Sequence, residues 1–176
     1  MLDEQRIKEA QNNVKGYTQD NLIWKYKTFR KEVLDTYKRN YLESLDLATK
    51  LFNEELSNLW IIVISYYAMY YIANAVLYKI GYKVGSKVSH KVTSDALIVF
   101  VRNKLKKSLI EDYEEAKEEA LEIIGRKTDE IISSFDKEME KRSFFQYETT
   151  EEIKRAKAKT SFERAKNFLF EMEKLL

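Results

Sequence analysis

The segment KRSFFQYETTEE, residues 141–152, places Arg142 five positions before Tyr147, with Phe144 and Phe145 between them. A guanidinium can hold a phosphate through paired hydrogen bonds. A phenol can exchange a proton, but its ordinary pKa of about 10 makes it a poor base near neutrality. Arg142 also has a plainer role open to it. Glu138 lies four residues earlier, in the favoured acid-then-base order for a helical pair, and a cation suits the end of a helix. His90 is the one histidine of the chain, and its ordinary pKa lies near neutrality. It reads either as a proton-transfer residue or as a helix-start residue with a structural hydrogen bond. Lys79, Lys83, Lys87 and Lys91 recur every four residues, with Tyr82 among them and Arg102 beyond. Lysines and arginines engage phosphates and an aromatic ring can stack a base; a solvated basic loop is the alternative.

Composition removes several chemistries. Without cysteine there are no disulfides, thiol nucleophiles or cysteine metal sites, and a single histidine leaves no multi-histidine metal centre. No glycine-rich phosphate loop and no Ser-His-Asp set occurs, so neither a cofactor nor a metal is expected. Paired acids such as Glu114-Glu115 and Glu118-Glu119 read as a solvated helix face. The Met-Leu-Asp-Glu-Gln start lacks the basic-then-apolar pattern of a signal peptide, and the absence of cysteine suits a reducing compartment; a cytoplasmic setting is expected. Heavy use of lysine, glutamate, isoleucine and tyrosine suggests heat adaptation.

The net charge of +2 hides a segregation. Lys79 to Lys107 holds eight basic residues against one acid, and Glu111 to Glu140 holds twelve acids against four basic residues. Either the basic segment is free to attract phosphate, or the two segments face each other as neighbouring helices and neutralise one another.

With no proline and four glycines in 176 residues, the chain reads as one all-α domain, an up-and-down bundle of about five to six helices. Residues 1–20 form an N-terminal extension helix with Gly16 near its end. A long second helix carries an apolar stripe at Leu22, Tyr26, Phe29, Val33, Tyr37, Tyr41, Leu45, Ala48, Phe52 and Leu56. Ser57 to Tyr78 then runs 22 residues without a charge, long enough to cross a membrane. Tyr66, Tyr67, Tyr70, Tyr71 and Tyr78 are spread through it, whereas tyrosine favours the membrane interface; the helix is read as the centre of a bundle or a dimer seam, with no membrane partner. A glycine-marked loop follows, then a helix from about Ser89 or Lys91 to Lys107 and an acidic one from about Leu109 to Lys141. A capping box, Thr149-Thr150-Glu151-Glu152, opens the last helix.

Three segments in order resemble the HEPN domain family over about residues 38–176. The first is ISYYAMYYIANAVLYKIGYK, with Tyr67, Ala68, Tyr70 or Tyr71, Ala73, Ala75, Leu77 and Gly81 in the family's places. The second is His90, where many relatives open a helix with histidine. The third is Arg142 to Tyr147, followed by a helix with Ala165 and Phe168 in an A-x-x-F pattern. The resemblance implies a helical bundle that commonly dimerises, and work on RNA or nucleotides. It also implies a toxin–antitoxin or defence role, often with a minimal nucleotidyltransferase as partner. Active members are metal-independent ribonucleases with an arginine followed four to six residues later by a histidine. No histidine follows Arg142 here. The expectation is therefore an RNA- or nucleotide-binding protein that homodimerises. The alternatives are a ribonuclease in which Arg142 acts with Tyr147 or His90, and a structural subunit that docks a protein partner. The binding residues expected are Lys79, Tyr82, Lys83, Lys87, Lys91 and Arg102.

Overall fold

The computed structural model describes residues 2–135 and 151–176, with side chains described at 2–125 and 154–176. Arg142, Phe144, Phe145, Tyr147, Glu138 and the first threonines of the capping box lie outside them. The described chain is an all-α bundle of six helices with one short ribbon: α1 (Glu4–Gln19), β1 (Ile23–Lys25), α2 (Lys31–Asn53), α3 (Asn58–Lys79), β2 (Tyr82–Val84), α4 (Ser89–Phe100), α5 (Lys107–Phe135) and α6 (Glu151–Glu173).

The uncharged helix, α3, is the axis. It packs against α2, α4, α5 and α6 and buries residues on most of its circumference, among them Ile61, Tyr66, Met69, Ile72, Ala73 and Leu77. Its length and composition would also suit a membrane span, but 67% of its most apolar window is covered by the bundle. Val92, Leu97 and Ile98 of α4, Leu109 and Tyr113 of α5 and Phe168, Leu169 and Met172 of α6 close round it. Removing this much apolar surface from water drives the assembly. Ser57 caps the first turn, accepting from the Trp60 amide at 3.4 Å. Inside, the Asn74 amide is spent on the Tyr70 carbonyl (2.9 Å) and on Thr93 Oγ1 (3.2 Å), as buried polar groups require.

Two expectations change. The long second helix does not begin at Leu22. Residues 23–25 are a strand paired antiparallel with β2, in the register Ile23 to Val84, Trp24 to Lys83 and Lys25 to Tyr82, and the helix starts only at Lys31. The start of the supposed stripe packs only in part, and from extended chain: Leu22 and Tyr26 are half-buried and Phe29 is exposed. Ile23 is in the core, and the Tyr26 and Phe29 rings lie 4.5 and 5.6 Å from that of Tyr78. The glycine-marked loop is thus half of a ribbon. Gly81, at φ +103°, makes the turn out of α3 that a side chain would disfavour. The helix opened by Ser89 ends at Phe100, not Lys107, and a 3₁₀ turn over Arg102–Lys104 leads into α5.

Residues 1–20 share the main core through Leu2 and Ala10. α1 is docked by charge. Asp95 of α4 is fully buried, and each of its oxygens is met. Arg6 Nη2 donates to Oδ1 at 2.7 Å, and Asn13 Nδ2 and the Tyr17 hydroxyl donate to Oδ2 at 3.0 and 2.9 Å. Arg6 Nε also donates to Glu114 of α5 at 2.9 Å, so one guanidinium joins three helices. Replacing one partner strands the other charges in the interior, at a cost of about 3–5 kcal/mol. Arg6→Met is therefore expected to lower unfolding stability by about 3 kcal/mol in urea titrations, and a loss below about 1 kcal/mol would show that the network behaves as a surface pair.

Candidate functional site

His90 sits in the first turn of α4, after Val88, which holds a left-handed conformation (φ 43°). That conformation is disfavoured for a β-branched residue, and here it marks the turn into α4. Beyond it, His90 lies against α3. Its Nδ1 and the Tyr66 hydroxyl share a hydrogen bond of 2.7 Å, whose donor depends on the ring tautomer. Its ring centroid lies 4.5 Å from that of Tyr70 and 5.8 Å from that of Tyr67, edge-on to the latter. Tyr66 is buried, whereas Tyr67, Tyr70, Tyr71 and His90 are half-exposed. The result is a packed cluster of rings, buried at Tyr66 and half-exposed at Tyr67, Tyr70 and His90. Behind Tyr66 the hydroxyl of Tyr113 is fully buried; it is within electrostatic reach of the Tyr66 hydroxyl, yet no group meets it at hydrogen-bond geometry.

Lys117 of α5 lies near this cluster. It donates to Ser94 Oγ at 3.4 Å, and Ser94 donates in turn to Glu114 at 3.2 Å. Among the described residues Lys117 makes no ion pair. Burial, and then the charge of Lys117, lower the pKa of His90 below its ordinary value, so the imidazole is favoured as the neutral ring. Burial raises the phenols of Tyr66 and Tyr113 well above 10, so both stay protonated.

The ion pairs decide between the two readings of the segregated charge. The acids at the start of α5 face other partners: Asp112 and Glu115 meet Arg164 of α6 at 3.3 and 2.7 Å, and Glu114 meets Arg6. Among the described residues, Lys107 of the basic segment turns to an acid, Glu111, at 3.8 Å, and Lys79, Lys83, Lys87 and Lys91 make no ion pair. Mutual neutralisation is therefore not what the described residues do. The regular spacing of the four lysines is broken by the left-handed turns at Gly81 and Val88, so they fall on a helix end, a strand, a turn and a new helix.

Tyr82 is not an open stacking surface. Phe100 covers one face at 4.0 Å, nearly parallel, and the Lys25 ammonium lies 5.5 Å from the ring centre. Trp24 across the ribbon is half-exposed beside Lys83, 5.9 Å away. Arg102 donates to the Ile98 carbonyl at 2.7 Å, as a helix-end cation does. Among the described residues no three His, Asp or Glu side chains gather to hold a metal ion. A shallow groove of about 500 Å³ between α5 and α6 is lined by Asp112, Lys159, Thr160, Glu163, Arg164 and Asn167; its arginine is already paired. Comparison with protein-family models, curated proteins and solved structures finds no match for this chain.

Lys117, Ser94 and Trp24 escaped the sequence reading. Lys117 sits within an acidic run, and only the packing of α5 on α4 reveals that its charge reaches the histidine. Because the unfolded chain binds a proton at His90 more readily than the folded one, stability falls as pH drops through and below 6.5. Tyr66 and Tyr113 titrate far above that window. Wild type is expected to lose more stability than His90→Asn between pH 7 and pH 5 in paired denaturant titrations; equal losses would place the imidazole in an ordinary solvated setting.

Proposed function

We propose that this chain is an HEPN-like RNA- or nucleotide-binding protein, working as a homodimer within a toxin–antitoxin or defence system. The observation that carries the binding reading is the set of lysines left without acidic partners at Lys79, Lys83, Lys87 and Lys91, while the neighbouring acids are occupied by Arg6 and Arg164. Unneutralised lysines release counterions when they meet phosphates. Half-exposed aromatic rings beside them, Trp24 on the ribbon and Tyr67, Tyr70 and Tyr71 on α3, supply sequence-tolerant stacking. The uncharged outer edge of α3, where Trp60 is 54% exposed, offers a surface for a second copy. A minimal nucleotidyltransferase remains the partner implied by the resemblance, and a cytoplasmic setting agrees with RNA as the ligand.

A second reading, a ribonuclease, draws on His90. A half-exposed imidazole held neutral can accept a proton from a ribose 2′-hydroxyl, whether or not Arg142 assists from another part of the assembly.

Fluorescence anisotropy with a short single-stranded RNA tests both readings. Binding is expected to weaken with salt, with log K falling by about 0.7 per lysine engaged for each unit of log salt. Reversing Lys79, Lys83, Lys87 and Lys91 to glutamate should abolish it, with the RNA recovered intact. Wild-type affinity in that quadruple variant would remove the binding reading. Cleavage that disappears in His90→Ala would favour the ribonuclease.

A further inference from the structure

We infer that the outer face of the β1–β2 ribbon, with the chain that leads from β1 into α2, is a docking surface for single-stranded RNA. On it Trp24 stacks one base, and Lys25, Lys27 and Arg30 join the lysines of the repeat on the phosphates. This rests on the RNA reading above, and adds to it a stacking residue and three cations from outside the repeat. The ribbon itself creates the surface. Antiparallel pairing sets Trp24 opposite Lys83 and Lys25 opposite Tyr82, so two basic stretches far apart in sequence become neighbours. Residues 21–31 carry four basic residues and no acid, and residues 79–91 carry four lysines and no acid. Of these eight, Lys31 is spent on Asp35 at 2.8 Å; the other seven make no ion pair among the described residues. Lys25, Lys27 and Arg30 are exposed. Like charges gathered in this way repel one another and raise the local concentration of anions.

Trp24 is the ring of this surface that is held in place without being covered by another ring. Gly85 donates to the Leu22 carbonyl at 2.8 Å, and a β-carbon on Gly85 would stand 3.4 Å from Trp24 Cζ3. The indole therefore rests beside a residue that has no side chain, and ordering it for a ligand costs little. Among the described residues it meets no other aromatic ring; the Lys83 ammonium lies 5.9 Å from it. The neighbouring rings are already taken. Tyr82 stacks on Phe100 at 4.0 Å, and Tyr26 stacks on Tyr78 at 4.5 Å. An anionic membrane would call for an apolar helix face or several apolar side chains free to insert. Here Phe29 is tied to the Tyr78 ring at 5.6 Å, and Val88 is one small exposed side chain at the turn into α4. An acidic protein would use the cations and leave the indole idle. A strand of RNA uses both, with phosphates for the cations and a base for the ring.

The test compares three probes on the full chain: a fluorescein-labelled ten-residue oligoadenylate, an abasic strand with the same number of phosphates, and vesicles of phosphatidylcholine and phosphatidylserine. Trp24→Leu is one variant, and Lys25→Gln, Lys27→Gln and Arg30→Gln together are a second; thermal unfolding confirms that each folds. The three cations lie outside the core, so the second variant tests the surface even if the first unfolds. Trp24→Leu is expected to weaken oligoadenylate binding about five- to a hundredfold and to leave abasic binding unchanged. The triple variant should weaken both strands and reduce the salt slope by about 2. If both variants bind oligoadenylate as wild type does while the quadruple lysine variant does not, the ribbon surface is wrong and the RNA reading stands. If wild type binds neither strand, both fall, and vesicle binding in their place would assign the surface to a membrane.

Discussion

Asp95 puts a carboxyl group into the interior of the bundle, and a buried carboxyl group persists only where donors surround it. Arg6, Asn13 and Tyr17, all on α1, are those donors. The consequence extends well beyond the pair. α1 lies against α4, and its arginine also takes Glu114 of α5, so one guanidinium ties α4 to α5 alongside their shared apolar core. The charge distribution follows from the same arrangement: with Arg6 and Arg164 serving the acids of α5, the lysines around the ribbon and the start of α4 are left without acids.

The second constraint is α3, a helix with no charge before its last residue, Lys79. In water such a helix is stable only when other elements cover it. Here α2, α4, α5 and α6 do so incompletely. Tyr66 and Tyr78 go inside, and Tyr67, Tyr70 and Tyr71 stay half-open beside the turn that launches α4. Tyrosine suits both positions, since its ring packs and its hydroxyl tolerates water. The same composition that satisfies the core therefore leaves an aromatic wall at the surface, next to the one histidine and an unpaired lysine.

Much of this architecture was readable from the chain. The uncharged run, the acidic stripe of α5 and the scarcity of glycine and proline led to an all-α bundle with α3 at its centre. The ribbon was not readable, for a physical reason. Three-residue strands show no period-two alternation, and Leu22, Tyr26 and Phe29 fall by chance on helical spacing while packing from extended chain. The lysine repeat misled in the opposite sense, because left-handed turns at Gly81 and Val88 scatter what the spacing gathers. Asp95 looked like a lone acid in a basic stretch; nothing local shows that its partner lies 89 residues earlier. His90 was visible as a candidate, but Lys117 was not, since within a run of glutamates its neighbours suggest a surface ion pair.

The central claim is that the aromatic wall of α3 and the unpaired lysines beside it form one nucleic-acid face. Ultraviolet cross-linking of the full chain to a single-stranded RNA, followed by peptide mass mapping, measures it most directly. The account expects adducts on the α3 peptide holding Tyr67, Tyr70 and Tyr71, and on the ribbon around Trp24, with none on the outer face of α6 around Phe170. Adducts confined to α6, or an absence of adducts at saturating RNA, would contradict it.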